Sequence, residues 1–396
     1  MTEPDSPSRR GFFLVACALL ITMIGTTLPT PLYVYYQQQM GFGETWVTLI
    51  FAIYALGVIA ALLAVGSWSD QIGRRPMLFA GLLMGAISAA IFLFCDSIGG
   101  LLLGRLFSGF SAGIMTGTAT VAIIELAPKS WSKRATLIAT AANMFGLGLG
   151  PLLAGLTSQY LPQPLHLVFW LHLGCLALAM LGIALAQETV ERPPVPRLRV
   201  MRPSIPPGVR AMFIPAAIAG MAGFSVAGLF TSMVPSIMRQ VMGQSDGVVI
   251  GAVVGSFFAA SVLGQAALQW LPARLHMTTG CAGLILGMAT LGLSISTEQL
   301  SLLMIAGALA GIGQGMVFRA GMGAVTAASP AHHKAAVSSA LFVVFYFSMS
   351  LPVIAVGVSV PVFGLRHVGE LFSAIVAVVA VLAMLSMKRA QAVAAA

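Results

Sequence analysis

Polarity along the chain alternates on a long scale: extended apolar runs are broken by short clusters of Arg, Lys, Asp, Gly and Pro. Twelve runs, near 12–36, 45–67, 76–95, 98–125, 135–160, 166–187, 211–238, 247–271, 277–296, 299–325, 336–359 and 369–387, approach or exceed the roughly 20 residues a helix needs to cross about 30 Å of hydrocarbon. Backbone polar groups inside lipid must be satisfied within their own segment, so these runs predict transmembrane helices. The stretch 188–210 interrupts the series with Pro193-Pro194, Pro196, Pro206-Pro207 and five arginines, and no continuous helix can run through it. It predicts a linker between an N-terminal unit, 1–187, and a C-terminal unit, 211–396.

Composition agrees. The chain is 58% apolar and 8% charged, against about 25% charged in soluble domains, and no soluble core could hide so much apolar surface. The net charge of +9 follows topology. With a cytoplasmic N-terminus, sixteen of the twenty Lys and Arg fall on the cytoplasmic side, two (Arg239 and Arg366) outside, and two (Arg105 and Arg319) within spans. The sixteen include Lys129, Lys133, Arg134, Arg197, Arg199, Arg202, Lys388 and Arg389. The positive charge predicts contact with an anionic leaflet and no nucleic-acid partner. Both termini are expected in the cytoplasm of a multi-pass inner-membrane protein. The first run is too long for a signal peptide and carries Pro29 and Pro31 where a small-residue cleavage site belongs. Cys17, Cys95, Cys175 and Cys281 stand singly with no ligand spacing, so no metal and no cofactor is expected.

Sliding the chain on itself by 202 residues aligns Met40-Gly41 with Met242-Gly243, Trp68 with Trp270, Gly109 with Gly311, Gly113 with Gly315 and Pro128 with Pro330. A slip of one aligns Pro151 with Pro352. Matches at corresponding points of corresponding runs predict an all-α integral membrane fold of two pseudo-symmetric six-helix bundles.

Four segments carry chemistry. Between Val65 and Met77 lies Gly66-Ser67-Trp68-Ser69-Asp70-Gln71-Ile72-Gly73-Arg74-Arg75-Pro76, a tight reversal with a carboxylate at a span end; by residue type alone it is a topogenic basic turn. It resembles the loop between spans 2 and 3 of the major facilitator superfamily, which moves small solutes across membranes; Gln71 replaces the usual Arg. The resemblance implies that Gly66, Asp70, Gly73, Arg74 and Arg75 belong to a gate in which the acid latches the opposite bundle. Arg105, in Gly104-Arg105-Leu106-Phe107-Ser108-Gly109, is an intramembrane cation, costly without a partner. It resembles the Arg of the family's second motif, which implies a part in proton coupling; a structural Arg satisfied by backbone carbonyls is the other reading. Glu125 is a second coupling candidate. Asn143 to Gly155 places Gly146, Gly150, Pro151 and Gly155 at close-packing spacing and is similar to the glycine-proline motif of proton-coupled exporters. Ile24 to Tyr33, with Pro29 and Pro31, is similar to a segment of twelve-span drug exporters. Together these implicate a drug:proton antiporter-like protein.

All eleven acids fall at span ends or in loops, so no mid-bilayer carboxylate offers itself for proton coupling, and Asp70, Glu125, a histidine such as His172 or a protonated substrate must serve if protons drive transport. The expected activity is alternating-access efflux of small amphiphilic molecules by a monomer, with protons, substrate and the lipid bilayer as partners and no enzymatic step. By family analogy Tyr33, Tyr54, Asn143, Phe224, Phe257, Gln314, Arg319, Phe342 and Tyr346 line the site. Arg319, deep in its run, favours substrates with an anionic or strongly polar acceptor group. An importer of the same fold remains an alternative. So does a non-transport membrane protein, for which His332-His333 is the one hint of metal chemistry.

Overall fold

The computed structural model describes residues 9–66, 68–196, 198, 200, 203–330 and 333–395, with only the backbone described at 129, 132, 133 and 388–395. Arg197, Arg199, Arg202 and His332 therefore lie outside the described residues, as do the side chains of Lys129, Lys133, Lys388 and Arg389.

Fifteen helices are described: α1 (Arg9–Thr27), α2 (Tyr33–Met40), α3 (Glu44–Val65), α4 (Ser69–Ile72), α5 (Arg74–Phe94), α6 (Ile98–Leu126), α7 (Ser132–Tyr160), α8 (Pro164–Leu185), α9 (Arg210–Ser232), α10 (Val234–Gln240), α11 (Gly247–Ala267), α12 (His276–Thr297), α13 (Leu300–Ala328), α14 (Lys334–Phe363) and α15 (Leu365–Ala395). Among the described residues twelve spans are long and apolar enough to cross a membrane. The first and seventh are each interrupted. Pro29 and Pro31 end α1 and force a 3₁₀ turn before α2, and Pro235 follows the break between α9 and α10. The first span, expected at 12–36, is thus built of two helices in series. The described residues between Ala186 and Pro206 carry no helix, as their prolines dictate.

The repeat is literal. α6 and α13 each have 29 residues and start 202 residues apart. Gly41 and Gly243, equivalent by that shift, both take positive φ, 69° and 66°, where glycine is least strained. Within the first six spans α6 packs on α1, α3 and α5, and α1 on α7 and α8; within the second six α13 packs on α9, α11 and α12, and α9 on α14 and α15, the same pairs after the shift. The main packing between halves is α7 with α11 and α3 with α14. Small residues set these contacts. A Cβ on Gly109 would overlap the Tyr54 carbonyl, and one on Gly311 the Phe257 carbonyl, so α3/α6 and α11/α13 approach backbone to backbone. Buried side chains form two main clusters, one around Leu19, Ile50 and Phe92, the other around Phe230, Leu291 and Phe345.

Candidate functional site

A cavity of about 910 Å³ lies between the halves. Its lining runs from Thr26, Tyr54 and Arg105 at depth to Ile124, Ala327 and Lys334 at helix ends on the face that also carries the charged turn and the linker. The far face is closed. There Glu44, 8% exposed, accepts hydrogen bonds from Ser236 Oγ (2.9 Å), Gln240 Nε2 (2.7 Å) and Gln37 Nε2 (3.2 Å), joining the halves. Thr45 Oγ1 donates to the Gly357 carbonyl at 2.8 Å.

Prolines explain several of these contacts. A proline within a helix leaves the carbonyl four residues earlier without its N–H partner. Pro151 frees Leu147, Pro352 frees Ser348 and Pro361 frees Gly357; the first carbonyl accepts from Thr27 Oγ1, the second from Ser225 Oγ and the third from Thr45 Oγ1, each at 2.8 Å. The glycine segment of α7 divides by face. Gly146 and Gly150 press on α1, where a Cβ would meet the Leu20 and Ile24 carbonyls, whereas Gly155 packs against Gly247, and the Pro151 carbonyl against Gly251, across the halves on α11.

Of the expected lining residues, Tyr54, Asn143, Phe224, Gln314, Arg319, Phe342 and Tyr346 reach the cavity. Two do not. Phe257 is fully buried, stacked on Phe230 at 4.8 Å, and its neighbour Phe258, one helical step round, faces the cavity instead. Tyr33 lies beyond the proline break, in a small far-face chamber with Gln37, Ser236 and Arg239. Sequence reasoning missed Thr116, Gln265 and Lys334 in the lining, and also the three hydroxyls; counting four residues back from each proline flags the freed carbonyl but not the distant side chain that satisfies it.

Aromatic rings form one wall: Phe224 stacks on Phe345 at 4.6 Å, meets Phe318 and Tyr346 at 5.9 Å, and Phe342 stacks on Tyr346. Arg105 is 1% exposed. Its Nη1 donates to the Thr26 carbonyl, its guanidinium lies 4.6 Å from the Tyr54 ring, and its Nε has no partner among the described residues. The carbonyl reading of Arg105 therefore accounts for part of its hydrogen-bonding capacity. Arg319 is exposed to the cavity, with Nη1 on the Gln265 carbonyl at 2.7 Å. Two like charges 8 Å apart repel by roughly 2 kcal/mol at an effective dielectric of 20, so a cation entering beside these arginines is opposed while an anion is favoured.

The charged turn is a knot within the first half. Arg74 pairs with Asp70 (2.6 Å) and Glu125 (2.8 Å) and donates to Ser69 Oγ. Thr189 Oγ1 also donates to Glu125. Glu188, at the start of the linker, accepts the backbone N–H groups of Arg74 and Arg75 at 2.8 and 3.1 Å, capping the exposed donors at the start of α5. Arg75 reaches the Ala184 carbonyl at the end of α8. Gly73 has φ 110°, and a Cβ there would lie 2.6 Å from Glu188 Oε2. Gly66 closes α3. Asp70 itself is mostly exposed and its partner is Arg74 in the same half. His172 is buried away from the cavity in a pocket lined by Thr22, Ser88, Ser108 and Ser111, with its ring against Gly25.

A family model described as Major Facilitator Superfamily matches residues 15–353. An uncharacterized MFS-type transporter of Methanocaldococcus jannaschii is 27% identical over 42% of this chain and 44% of its own length. MdtD of Shigella sonnei, provisionally named a multidrug resistance protein, is 23% identical over 40% of this chain and 34% of its own. The matches thus span less than half the length of these curated relatives. Two solved structures share the fold. One is a bacterial homolog to the human lysosomal transporter Spinster, inward-facing and unoccupied (TM-score 0.74, 15% identity, 98% and 99% of the two chains). The other is a POT family transporter in complex with 5-aminolevulinic acid (TM-score 0.75, 13% identity, 96% of each). The extent of the family match, with twelve spans arranged as two related sixes, makes this chain a transporter of the major facilitator superfamily.

Proposed function

We propose that the protein exports small amphiphilic molecules in exchange for protons by alternating access. The observation that carries this reading is the asymmetry of the cavity, open toward the linker face and shut on the other by a small set of contacts between halves: Glu44 on Ser236 and Gln240, Thr45 on Gly357, and the glycine seam of α7 and α11. Residues 1–187 and 211–396 act as two rocking bodies tethered by 188–210, the linker face is cytoplasmic in the inner membrane with both termini on it, and the chain works as a monomer. The turn at Gly66, Asp70, Gly73, Arg74 and Arg75 is the linker-face gate. When the cavity closes on that side, Asp70, now paired only within its own half, engages the second half. Arg105 and Glu125 couple the cycle to protons. Outward direction draws support from the glycine-proline segment and from MdtD's name.

The test is flux in everted vesicles containing the full chain. An exported substrate should discharge a preformed pH gradient in wild type and not in Asp70→Asn at equal protein. Uptake into right-side-out vesicles driven by the same gradient identifies an importer and overturns the direction.

A further inference from the structure

The cavity lining holds three cations, Arg105, Arg319 and Lys334, and among the described residues no Asp, Glu or His. We infer that the site is built for an amphiphilic organic anion, its oxyanion head drawn to Arg319 and Arg105 and its apolar body laid on the aromatic wall. This assignment rests on the transporter reading above and adds the sign of the substrate's charge.

Neither arginine is demanded by the scaffold. The position equivalent to Arg105 is Gly307 and the one equivalent to Arg319 is Gly117, and the same helix pairs form in both halves. Nor does topology demand them, because charges that orient a membrane protein sit in its loops. A guanidinium offers five N–H donors in a planar fork. Among the described residues Arg319 has one bond, to the Gln265 carbonyl, and it borders both the central cavity and a neighbouring one of about 520 Å³. Arg105 keeps a buried Nε with no partner among the described residues. Arg105 is buried, where an unpaired charge is costly, Arg319 is exposed on the cavity wall, and neither has a counter-charge in the described lining. An oxyanion supplies the missing charge and accepts from the fork in pairs.

The opposite choice, a lipophilic cation on the aromatic wall, is weaker. Ring faces attract cations through a quadrupole only, and the Tyr54 face is already taken by Arg105. A formal positive charge beside two arginines is repelled. Lys334 opens α14, so its charge adds to the positive end of the helix dipole at the cavity mouth, and the whole entrance steers anions inward.

Three probes with one aromatic body separate head-group charge from apolar burial: 2-naphthoxyacetate, 2-naphthoxyethanol and 2-naphthoxyethylammonium, titrated calorimetrically into the full chain in lipid nanodiscs against empty nanodiscs. The acetate should bind about tenfold more tightly than the alcohol, the margin of a charge-assisted hydrogen bond, and the ammonium more weakly than either. Arg319→Gln, at an exposed position, should bring the acetate down to the alcohol's affinity and leave the alcohol unchanged. Equal or tighter binding of the ammonium, no binding of any probe by wild type, or an acetate preference that survives Arg319→Gln overturns the assignment. If the acetate binds as expected yet crosses proteoliposomes in neither direction, the efflux reading fails while the charge assignment stands. Gradient-driven export of a cationic drug with no acetate binding overturns the charge assignment and leaves the efflux reading standing.

Discussion

The two halves of this transporter share their helix packing and differ in their charges. Equivalent glycines bring equivalent helices together: Gly109 meets Tyr54 in the first half as Gly311 meets Phe257 in the second. Equivalent prolines free carbonyls that hydroxyls from the first helix of each half satisfy, Thr27 on Leu147 and Ser225 on Ser348. The charges follow no such symmetry. The turn after α3 carries the Asp70–Arg74–Glu125 knot clasped by Glu188, whereas the turn after α11 has Pro272 and His276 in the places of Asp70 and Arg74. Even the acids that do align diverge. Asp246 caps its own helix by accepting from Val248 and Val249, while Glu44, at the equivalent position and one methylene longer, reaches across to Ser236 and Gln240. Close packing is a requirement of the fold and falls on both copies; charge placement is not, and the two copies differ in it.

The glycine contacts give the largest test. Gly109→Ala and Gly311→Ala should each destabilise by about 3 kcal/mol, because a backbone oxygen cannot move aside as a side chain can. Thermal unfolding of the purified protein should show similar losses; a loss confined to one position would break the equivalence.

The charged turn comes next and should be one-sided. Arg74→Gln leaves two carboxylates unpaired and should cost about 2 kcal/mol, less than for a fully buried pair because Asp70 and Glu125 keep some water. His276→Gln should cost under about 1 kcal/mol. Asp70→Asn should leave the melting temperature nearly unchanged and abolish flux; wild-type flux would detach the turn from gating.

Thr27→Val and Ser225→Ala should each cost about 1 to 2 kcal/mol by stranding a buried carbonyl. In a Pro151→Ala background the restored N–H of residue 151 serves Leu147, so Thr27→Val should then cost under about 0.5 kcal/mol, a coupling that a double-mutant cycle reads directly. Additive losses would mean that the hydroxyl matters for packing alone.

The smallest stability effects separate the aligned acids. Asp246→Ala should cost about 1 kcal/mol as a lost helix cap. Glu44→Gln should change stability by less than about 0.5 kcal/mol and instead loosen the far face. The readout is faster maleimide labelling of a cysteine placed at Ser232; an unchanged labelling rate would remove Glu44 from the closed gate.

Residue order alone determined the number of spans, the duplication, the helix-free stretch between the halves and the grouping of charge at 66–76, because apolar length, proline chemistry and repeated small residues are local quantities. Seven of the nine residues expected to line the site border the cavity, since a polar or aromatic side chain in a lipid-bound span has few reasons to be there. What residue order left open is which way each helix faces. A soluble helix announces its buried side by amphipathicity, but lipid is as apolar as a protein core, so the signal that would separate Phe257 from Phe258, or the α1 side of Gly150 from the α11 side of Gly155, is absent from these runs. Only the tertiary structure decided those rotations. It also decided the long reaches of Glu188 onto α5 and of Glu44 onto Ser236, which join residues 114 and 192 positions apart. No local pattern encodes such distances, because they arise from how twelve rigid helices settle against one another.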